Sequence, residues 1–262
     1  MTYPLKLLQI ETTNICNSNC EFCIHSSLKD FGTMSDSLFL KILKDAKKIS
    51  SIKVIVPMLL GEPFCDKKII SRLQLINKIL PDKNIYLFTN CSLLTPGIIE
   101  QLSEIKNIRI NFSLNGSCKE TRKKLMNLDD FDYCKEMIDL YVKTGKPYVV
   151  TLVSHPSVSN GELENFKKNS NWKTSVVEYK NWSGDKFDGF RQTHCHRAIE
   201  QMTIMYDGRV NLCCMEYGKV IFGDVNKQSV KEVWESKHRQ MYSRIHSQGG
   251  HMKGVCANCT RA

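Results

Sequence analysis

Six apolar, strand-like runs alternate with amphipathic helical stretches through roughly the first 180 residues, and that alternation narrows the accessible folds more than any other feature of the chain. The runs cover residues 5–12, 52–58, 84–89, 108–114, 147–154 and 174–179. Most are rich in Ile, Val, Leu or Phe, as strands buried on both faces require. Ser35 caps a predicted helix that buries Leu38, Ile42 and Ala46; Asp66 starts a second, and Thr95 followed by Pro96 starts a third. Residues 121–128 and 131–143 read as two more, the last ending at Gly145 with Pro147 just beyond. Such repetition predicts a parallel sheet with helices packed outside it, and the spacing fits a doubly wound sheet or a partial barrel equally. A chain of 262 residues suffices for one large domain, or one domain with a small appendage.

Beyond residue 179 the pattern changes. Residues 180–193 hold two glycines and little periodicity and read as a linker, so the expected division is a 1–180 domain and a 181–262 C-terminal module. Residues 200–206 and 209–213 form a predicted hairpin across Asp207-Gly208, a favoured two-residue turn. One terminal helix is expected after Ser229, carrying Val233, Trp234, His238, Met241, Tyr242 and Ile245.

Twelve cysteines in a chain with no export signal argue for metal ligation in a reducing cytoplasm rather than for disulfides. The N-terminus is too short and too quickly acidic for a secretory signal, and no apolar run approaches the length of a membrane span. The net charge of +10 comes largely from scattered lysines, which supply 28 of the 37 basic residues. A nucleic-acid reader would cluster arginines among exposed aromatics, so nucleic acid is not an expected partner; an acidic substrate or partner stays open.

Cys16, Cys20 and Cys23 stand as C-N-S-N-C-E-F-C in the loop after the first strand. Iron–sulfur clusters normally take four cysteines. Three on one loop hold three corners of a cubic cluster and leave one iron open for chemistry. A zinc knuckle is the alternative, but zinc favours paired C-x2-C ligands, and no histidine at knuckle spacing completes this set. Cys195, Cys213, Cys256 and Cys259 form a second constellation, enough to close a further cluster or to hold a structural zinc. Cys214 competes with Cys213 as ligand. Cys65, Cys91, Cys118 and Cys134 read mostly as buried thiols, with Cys65 and Cys91 near strand mouths as candidates to face an active site.

The C-x3-C-x2-C loop resembles that of the radical S-adenosylmethionine (SAM) superfamily. The resemblance implies a partial (β/α)6 TIM-like barrel with a [4Fe–4S] cluster at the C-terminal mouth of its strands. It also implies SAM chelated to the open iron and cleaved to a 5′-deoxyadenosyl radical that abstracts a substrate hydrogen. Gly61-Glu62-Pro63 is similar to the family's G-G-E-P motif, with Leu60 for its first glycine; Glu62 would bind the ammonium of SAM. Phe22 matches the aromatic position that lies against the adenine. Thr89-Asn90 and Ser113-Leu114-Asn115-Gly116 resemble the T-N-G and S-L-D-G segments that hydrogen-bond SAM, with Cys91 where the family has glycine and Asn115 where it has aspartate. Plain turn chemistry is the competing account of Ser113 and Asn115. The arginine of the family's I-R-G is absent from Leu125-Met126-Asn127, and Arg122, one helical turn earlier, is the candidate substitute. The C-terminal segments D-G-R-V-N-L-C-C (207–214), G-D-V (223–225), S-V-K-E-V-W (229–234) and C-A-N-C resemble the twitch module, a shortened SPASM extension. That implies an auxiliary [4Fe–4S] cluster on Cys195, Cys213, Cys256 and Cys259.

Small aminocyclitol and sugar dehydrogenases of this group share the short length. The implied reaction is therefore oxidation of a small sugar- or aminocyclitol-like alcohol, with the auxiliary cluster accepting an electron and flavodoxin or ferredoxin as reductant. Glu216, His194 and His196 are candidates to take a proton, and of Gln9 and Glu11 on the first strand one is expected to point into the barrel. Rival readings are radical modification of a ribosomal peptide or protein side chain, redox-neutral epimerisation using a free thiol among Cys65, Cys91 and Cys118, and a metal-binding interaction protein without turnover.

Overall fold

The computed structural model describes residues 2–180, 182, 195–249, 254–257 and 259. Six strands form where the apolar runs lie: β1 (Leu7–Ile10), β2 (Val54–Val56), β3 (Asn84–Thr89), β4 (Ile108–Asn115), β5 (Tyr148–Ser154) and β6 (Thr174–Glu178). Each pairs in parallel with the next. Between them run α1 (Asp36–Lys47), α2 (Ile69–Ile79), α3 (Pro96–Glu104), α4 (Lys119–Met126), α5 (Phe131–Val142) and α6 (Asn160–Asn169). The partial (β/α)6 barrel is thus present.

One strand face is sealed. Leu8, Ile10, Ile55, Ile85, Leu87, Ile110, Phe112 and Leu152 are fully buried among Phe39, Ile42, Leu73, Leu102 and Ile138 of the helices. Each such side chain contributes roughly 1.5–3 kcal/mol. The alternate residues, Leu7, Gln9, Val56 and Phe88, face the interior and line a cavity there.

The C-terminal segment extends the same sheet. After α7 (His196–Glu200), β7 (Gln201–Ile204) pairs in parallel with β1. β8 (Arg209–Asn211) and β9 (Ile221–Asp224) follow antiparallel, giving the order β6-β5-β4-β3-β2-β1-β7-β8-β9. The expected hairpin forms across Asp207-Gly208, where Gly208 takes a φ of +95°.

Three local expectations need correction. The helix after Ser229 is two, α8 (Val230–Glu235) and α9 (Lys237–Ser247), because Ser236 is extended (ψ 143°) and caps α9 by accepting from Arg239 N. α2 begins after Lys68, not at Asp66, whose carboxylate is occupied by Lys68 N and the Arg72 guanidinium. Gln9 and Glu11 are both buried, since residues two apart on an extended chain share a face: Gln9 lines the interior cavity, and Glu11 accepts from Leu60 N and Tyr206 N. The predicted linker, apart from Lys180 and Trp182, and His194 lie outside the described residues.

Candidate functional site

The loop carrying Cys16, Cys20 and Cys23 leaves β1 and is tied shut at its neck. Thr13 bridges Thr33; Asn14 Nδ2 donates to Asp30 O (2.8 Å) and Asn14 Oδ1 accepts from Gly32 N (2.7 Å). Two supports then press on it. Ser18 Oγ and Asn19 N donate to Met126 O, and Glu21 N donates to Leu125 O, so the loop rests on the end of α4. From the other side Glu62 N donates to Ile15 O (2.9 Å). Gly61 makes that approach possible: a Cβ there would stand 2.2 Å from Thr13 O and 2.8 Å from Ile15 O.

A cavity of about 300 Å³ opens beneath the loop. Cys16, Cys20, Cys23 and Phe22 line one side of it, and Gly61, Glu62, Asn90, Ser113 and Asn115 line the other. The strand-mouth residues named from the sequence therefore meet at one place. Asn115 holds a left-handed φ of 59°, which asparagine tolerates, and Gly116 lets α4 close onto β4.

Glu62 is 3% exposed. Its Oε1 accepts from Thr89 Oγ1 (2.7 Å) and Phe64 N (3.3 Å), and its Oε2 accepts from Asn90 N (2.7 Å). Burial nevertheless pushes its pKa up to about 7. Burial likewise pushes the Cys16 and Cys20 thiols up to about 12, so they keep their protons at neutral pH until a cation displaces them. Three thiols facing a buried carboxylate across one cavity suit a soft, multi-iron centre with a cationic ligand beside it. Among the described residues no three His, Cys, Asp or Glu side chains surround a single point as the ligands of one ion do.

Part of the second cysteine set gathers in the C-terminal segment. Cys213, Cys256 and Cys259 belong to one apolar cluster with Leu212 and Met215. Burial holds the Cys213 thiol well above its ordinary value, and the charges of Cys214, Cys195 and Glu216 add to the effect. Arg239 lies against this group, 1% exposed. It donates to Ala198 O, Gln201 O and Ser243 Oγ and stacks on Trp234 at 4.2 Å. Burial lowers it to about 10, while Cys213 and Cys195 pull it back up.

Beside the first cavity lies a second of about 260 Å³. It shares Met58, Leu59, Phe88 and Trp182 with the first and is reached by Cys214 rather than Cys213. A larger open hollow, about 520 Å³, sits at the mouths of β5 and β6 beside His155 and Tyr179.

Several candidates fall elsewhere. Arg122 does not line the cavity: it is fully buried, donating to Asp130 Oδ1 and to the carbonyls of Leu114 and Asn90, a strut beneath the strand mouths. Glu216 accepts from the backbone N–H groups of Leu212, Lys219 and Val220 and so braces the turn after Cys213. Cys91 is buried against Cys134 at a φ of 74°, and Cys65 lines neither cavity; Cys118 lies with Thr121 and Glu162. His196 is exposed.

Sequence reasoning missed other contributors. Trp182 Nε1 donates to Phe22 O (2.7 Å), and the His155 ring stands 6.5 Å from that of Phe22. Tyr217 Oη donates to Glu11 Oε2 (2.9 Å) and accepts from Asn14 Nδ2 (3.3 Å), joining the cysteine loop to the C-terminal segment. No periodic or motif signal marks these residues, because each acts through a partner far along the chain.

The chain belongs to the radical SAM superfamily, whose family model matches residues 10–168. More narrowly, residues 195–260 match SPASM, an iron–sulfur cluster-binding domain. Membership brings SAM and a [4Fe–4S] cluster as cofactors, and the SPASM domain brings auxiliary iron–sulfur clusters. The chain is 32% identical over 112 residues, 42% of its length and 31% of the relative's, to a tungsten-containing aldehyde ferredoxin oxidoreductase cofactor-modifying protein of Pyrococcus furiosus. It is 27% identical over 218 residues, 77% of its length, to a GTP 3′,8-cyclase of Clostridium perfringens, of which the match spans 64%. These matches cover about a third and just under two thirds of the relatives' lengths. Among solved structures, BtrN in complex with AdoMet and 2-DOIA superposes with a TM-score of 0.73 at 16% identity, over 100% of this chain and 95% of that one. Streptococcus suis SuiB bound to precursor peptide SuiA superposes at 0.74 and 17%, over 99% and 70%. At such identities the likeness is one of fold. No helix among the described residues is long and apolar enough to cross a membrane.

Proposed function

We propose that this radical SAM enzyme oxidises an alcohol carbon of a small sugar- or cyclitol-like molecule. Converting an alcohol to a carbonyl removes one hydrogen atom, one proton and one electron, so the reaction needs a hydrogen-atom acceptor, water or a basic side chain to take the proton, and an electron acceptor. The observation that carries the reading is the pair of cavities sharing Met58, Leu59, Phe88 and Trp182, with Cys16, Cys20 and Cys23 lining one and Cys214, the neighbour of Cys213, lining the other. Cys16, Cys20 and Cys23 would hold the SAM-binding [4Fe–4S] cluster, and Cys195, Cys213, Cys256 and Cys259 the auxiliary one. When bound, the first cluster and SAM supply a hydrogen-abstracting 5′-deoxyadenosyl radical. Glu62 would anchor the ammonium of SAM, Phe22 would cover its adenine, and Asn90, Ser113 and Asn115 offer it hydrogen bonds. Flavodoxin or ferredoxin, as an acidic electron carrier, suits a chain of net charge +10.

The test is chemical. Anaerobically reconstituted, reduced protein is expected to form 5′-deoxyadenosine from SAM, read by chromatography and mass spectrometry. The triple variant Cys16→Ala, Cys20→Ala, Cys23→Ala is expected to form none yet to retain about four irons per chain, one cubic cluster's worth. No iron in that variant, with zinc in its place, would remove the electron acceptor and with it the oxidative reading.

A further inference from the structure

The large buried cations among the described residues are matched. Arg72 meets Asp66, Arg122 meets Asp130, and Arg239 is held by carbonyl and hydroxyl oxygens. Arg197 is different. It lies on α7, half-buried, and lines the second cavity, and its guanidinium makes no hydrogen bond or ion pair among the described residues. No Asp or Glu among the described residues lines that cavity. The other polar groups there are mostly committed. Gln9 Nε2 donates to Met58 O (2.8 Å), and Gln9 Oε1 accepts from Gln201 Nε2 (2.6 Å). Gln201 Nε2 also donates to Thr203 Oγ1 (3.2 Å), which leaves Gln201 Oε1 as an acceptor with no partner among the described residues.

A guanidinium keeps its charge at any accessible pH, and its planar fork of donors matches carboxylate and phosphate oxygens. Held beside apolar walls of Leu7, Val56 and Phe88, its field is screened less than on an open surface. We propose that this cavity receives a small anionic substrate, its carboxylate or phosphate on Arg197 and a hydroxyl donating to Gln201 Oε1. The proposal rests on the oxidative reading above, because the cavity shares Met58, Leu59, Phe88 and Trp182 with the one lined by Cys16, Cys20 and Cys23. It changes the substrate class. An amine-bearing cyclitol would bring an ammonium group next to an unpaired guanidinium with no carboxylate among the described residues to hold it, whereas a sugar acid or sugar phosphate supplies the missing charge. The net charge of +10 also favours the approach of anions.

Equilibrium dialysis of reconstituted, SAM-loaded protein tests this with radiolabelled D-glucuronate, inorganic phosphate, glucose and glucosamine at matched ionic strength. Glucuronate or phosphate is expected to bind and glucose and glucosamine to bind at least tenfold more weakly, with Arg197→Gln losing about ten- to a hundredfold in anion affinity, the size of a lost hydrogen bond to a charged group. Arg197→Lys keeps the charge and is expected to retain part of it. Binding by glucuronate alone, or by phosphate alone, identifies which anion the site takes. A second readout is independent of any variant: phenylglyoxal labelling of Arg197, followed by peptide mass spectrometry, is expected to slow severalfold when the bound anion is present. Equal binding of all four probes, or anion affinity unchanged in Arg197→Gln, overturns the proposal. Background 5′-deoxyadenosine formation by the wild-type protein without any sugar reports the radical chemistry separately, so either conclusion can fail while the other stands.

Discussion

Glu62 is caught between two demands on one carboxylate. Burial pushes it up to about 7, although Asn90 N, Thr89 and Phe64 N donate to it and Arg122 lends its charge. Near neutrality it is therefore divided between acid and anion, and a cationic ligand selects the anion. Affinity for SAM is expected to rise with pH through about 7 and level off above, with proton release on binding on the acid side. Titration calorimetry in buffers of different ionisation enthalpy reads both effects. Glu62→Gln is expected to abolish the pH step and weaken binding about ten- to a hundredfold. Its neighbour Gly61 carries a steric prediction instead. In Gly61→Ala the new methyl meets Thr13 O at 2.2 Å, and the backbone of the cysteine loop must give way. A loss of about 1–3 kcal/mol in stability is expected, as for other overpacked sites, with a parallel fall in iron content at the first cluster.

At the level of elements, the six strands and the hairpin were legible because each is a local pattern: an apolar run, a cap, a turn dipeptide. The pairing of β7 with β1 was not, since nothing in Gln201–Ile204 names a partner so far back in the chain. β9 was legible only as a motif, G-D-V, because its half-buried residues show no alternation. Much of the first site followed the same rule. Cys16, Cys20, Cys23 and Glu62 stand in short motifs, whereas Arg122 stands beside one and is occupied by Asp130, Leu114 and Asn90, partners that no motif names. Arg239 is marked by no motif either, yet it is buried on α9. Arg239→Met leaves the Ala198 and Gln201 carbonyls without their donor, at about 1–3 kcal/mol for each orphaned group, and a fall in melting temperature is expected. It also removes a positive charge beside Cys195 and Cys213. The auxiliary cluster's potential is expected to become more negative, because the reduced cluster carries the greater negative charge. Potentiometric titration in the background lacking Cys16, Cys20 and Cys23 isolates that signal.

Over the whole molecule, the barrel and the C-terminal segment are joined by one buried carboxylate. Glu11 N donates to Ile204 O, Glu11 Oε1 accepts from Leu60 N, and Glu11 Oε2 accepts from Tyr206 N and Tyr217 Oη. Tyr217 in turn accepts from Asn14 at the neck of the cysteine loop, so β1, the β2 exit, that loop and the turn after Cys213 converge on a single side chain. Burial raises Glu11 to about 7 from an ordinary value of 4.5, outweighing the bonds from Tyr217, Leu60 and Tyr206. A carboxyl raised on folding stabilises the fold fully below its unfolded value, and that contribution is lost as pH climbs through the folded one. For Glu11 the window runs from about 4.5 to about 7, and the shift corresponds to about 3 kcal/mol at 1.36 kcal/mol per pH unit. Glu62 shifts in the same direction, so the wild-type protein is expected to lose stability between mildly acidic and mildly alkaline pH, and a single melting curve would not separate the two groups. The comparison of slopes does. Glu11→Gln cannot ionise, and iron-loaded protein carrying it is expected to show a shallower fall in melting temperature across that window. The variant's offset at acidic pH, where Glu11 is already neutral, measures only the hydrogen bonds it rearranges. An unchanged slope in Glu11→Gln would mean that the carboxylate stays charged in the folded protein, held by Tyr217 and the two backbone donors against its burial.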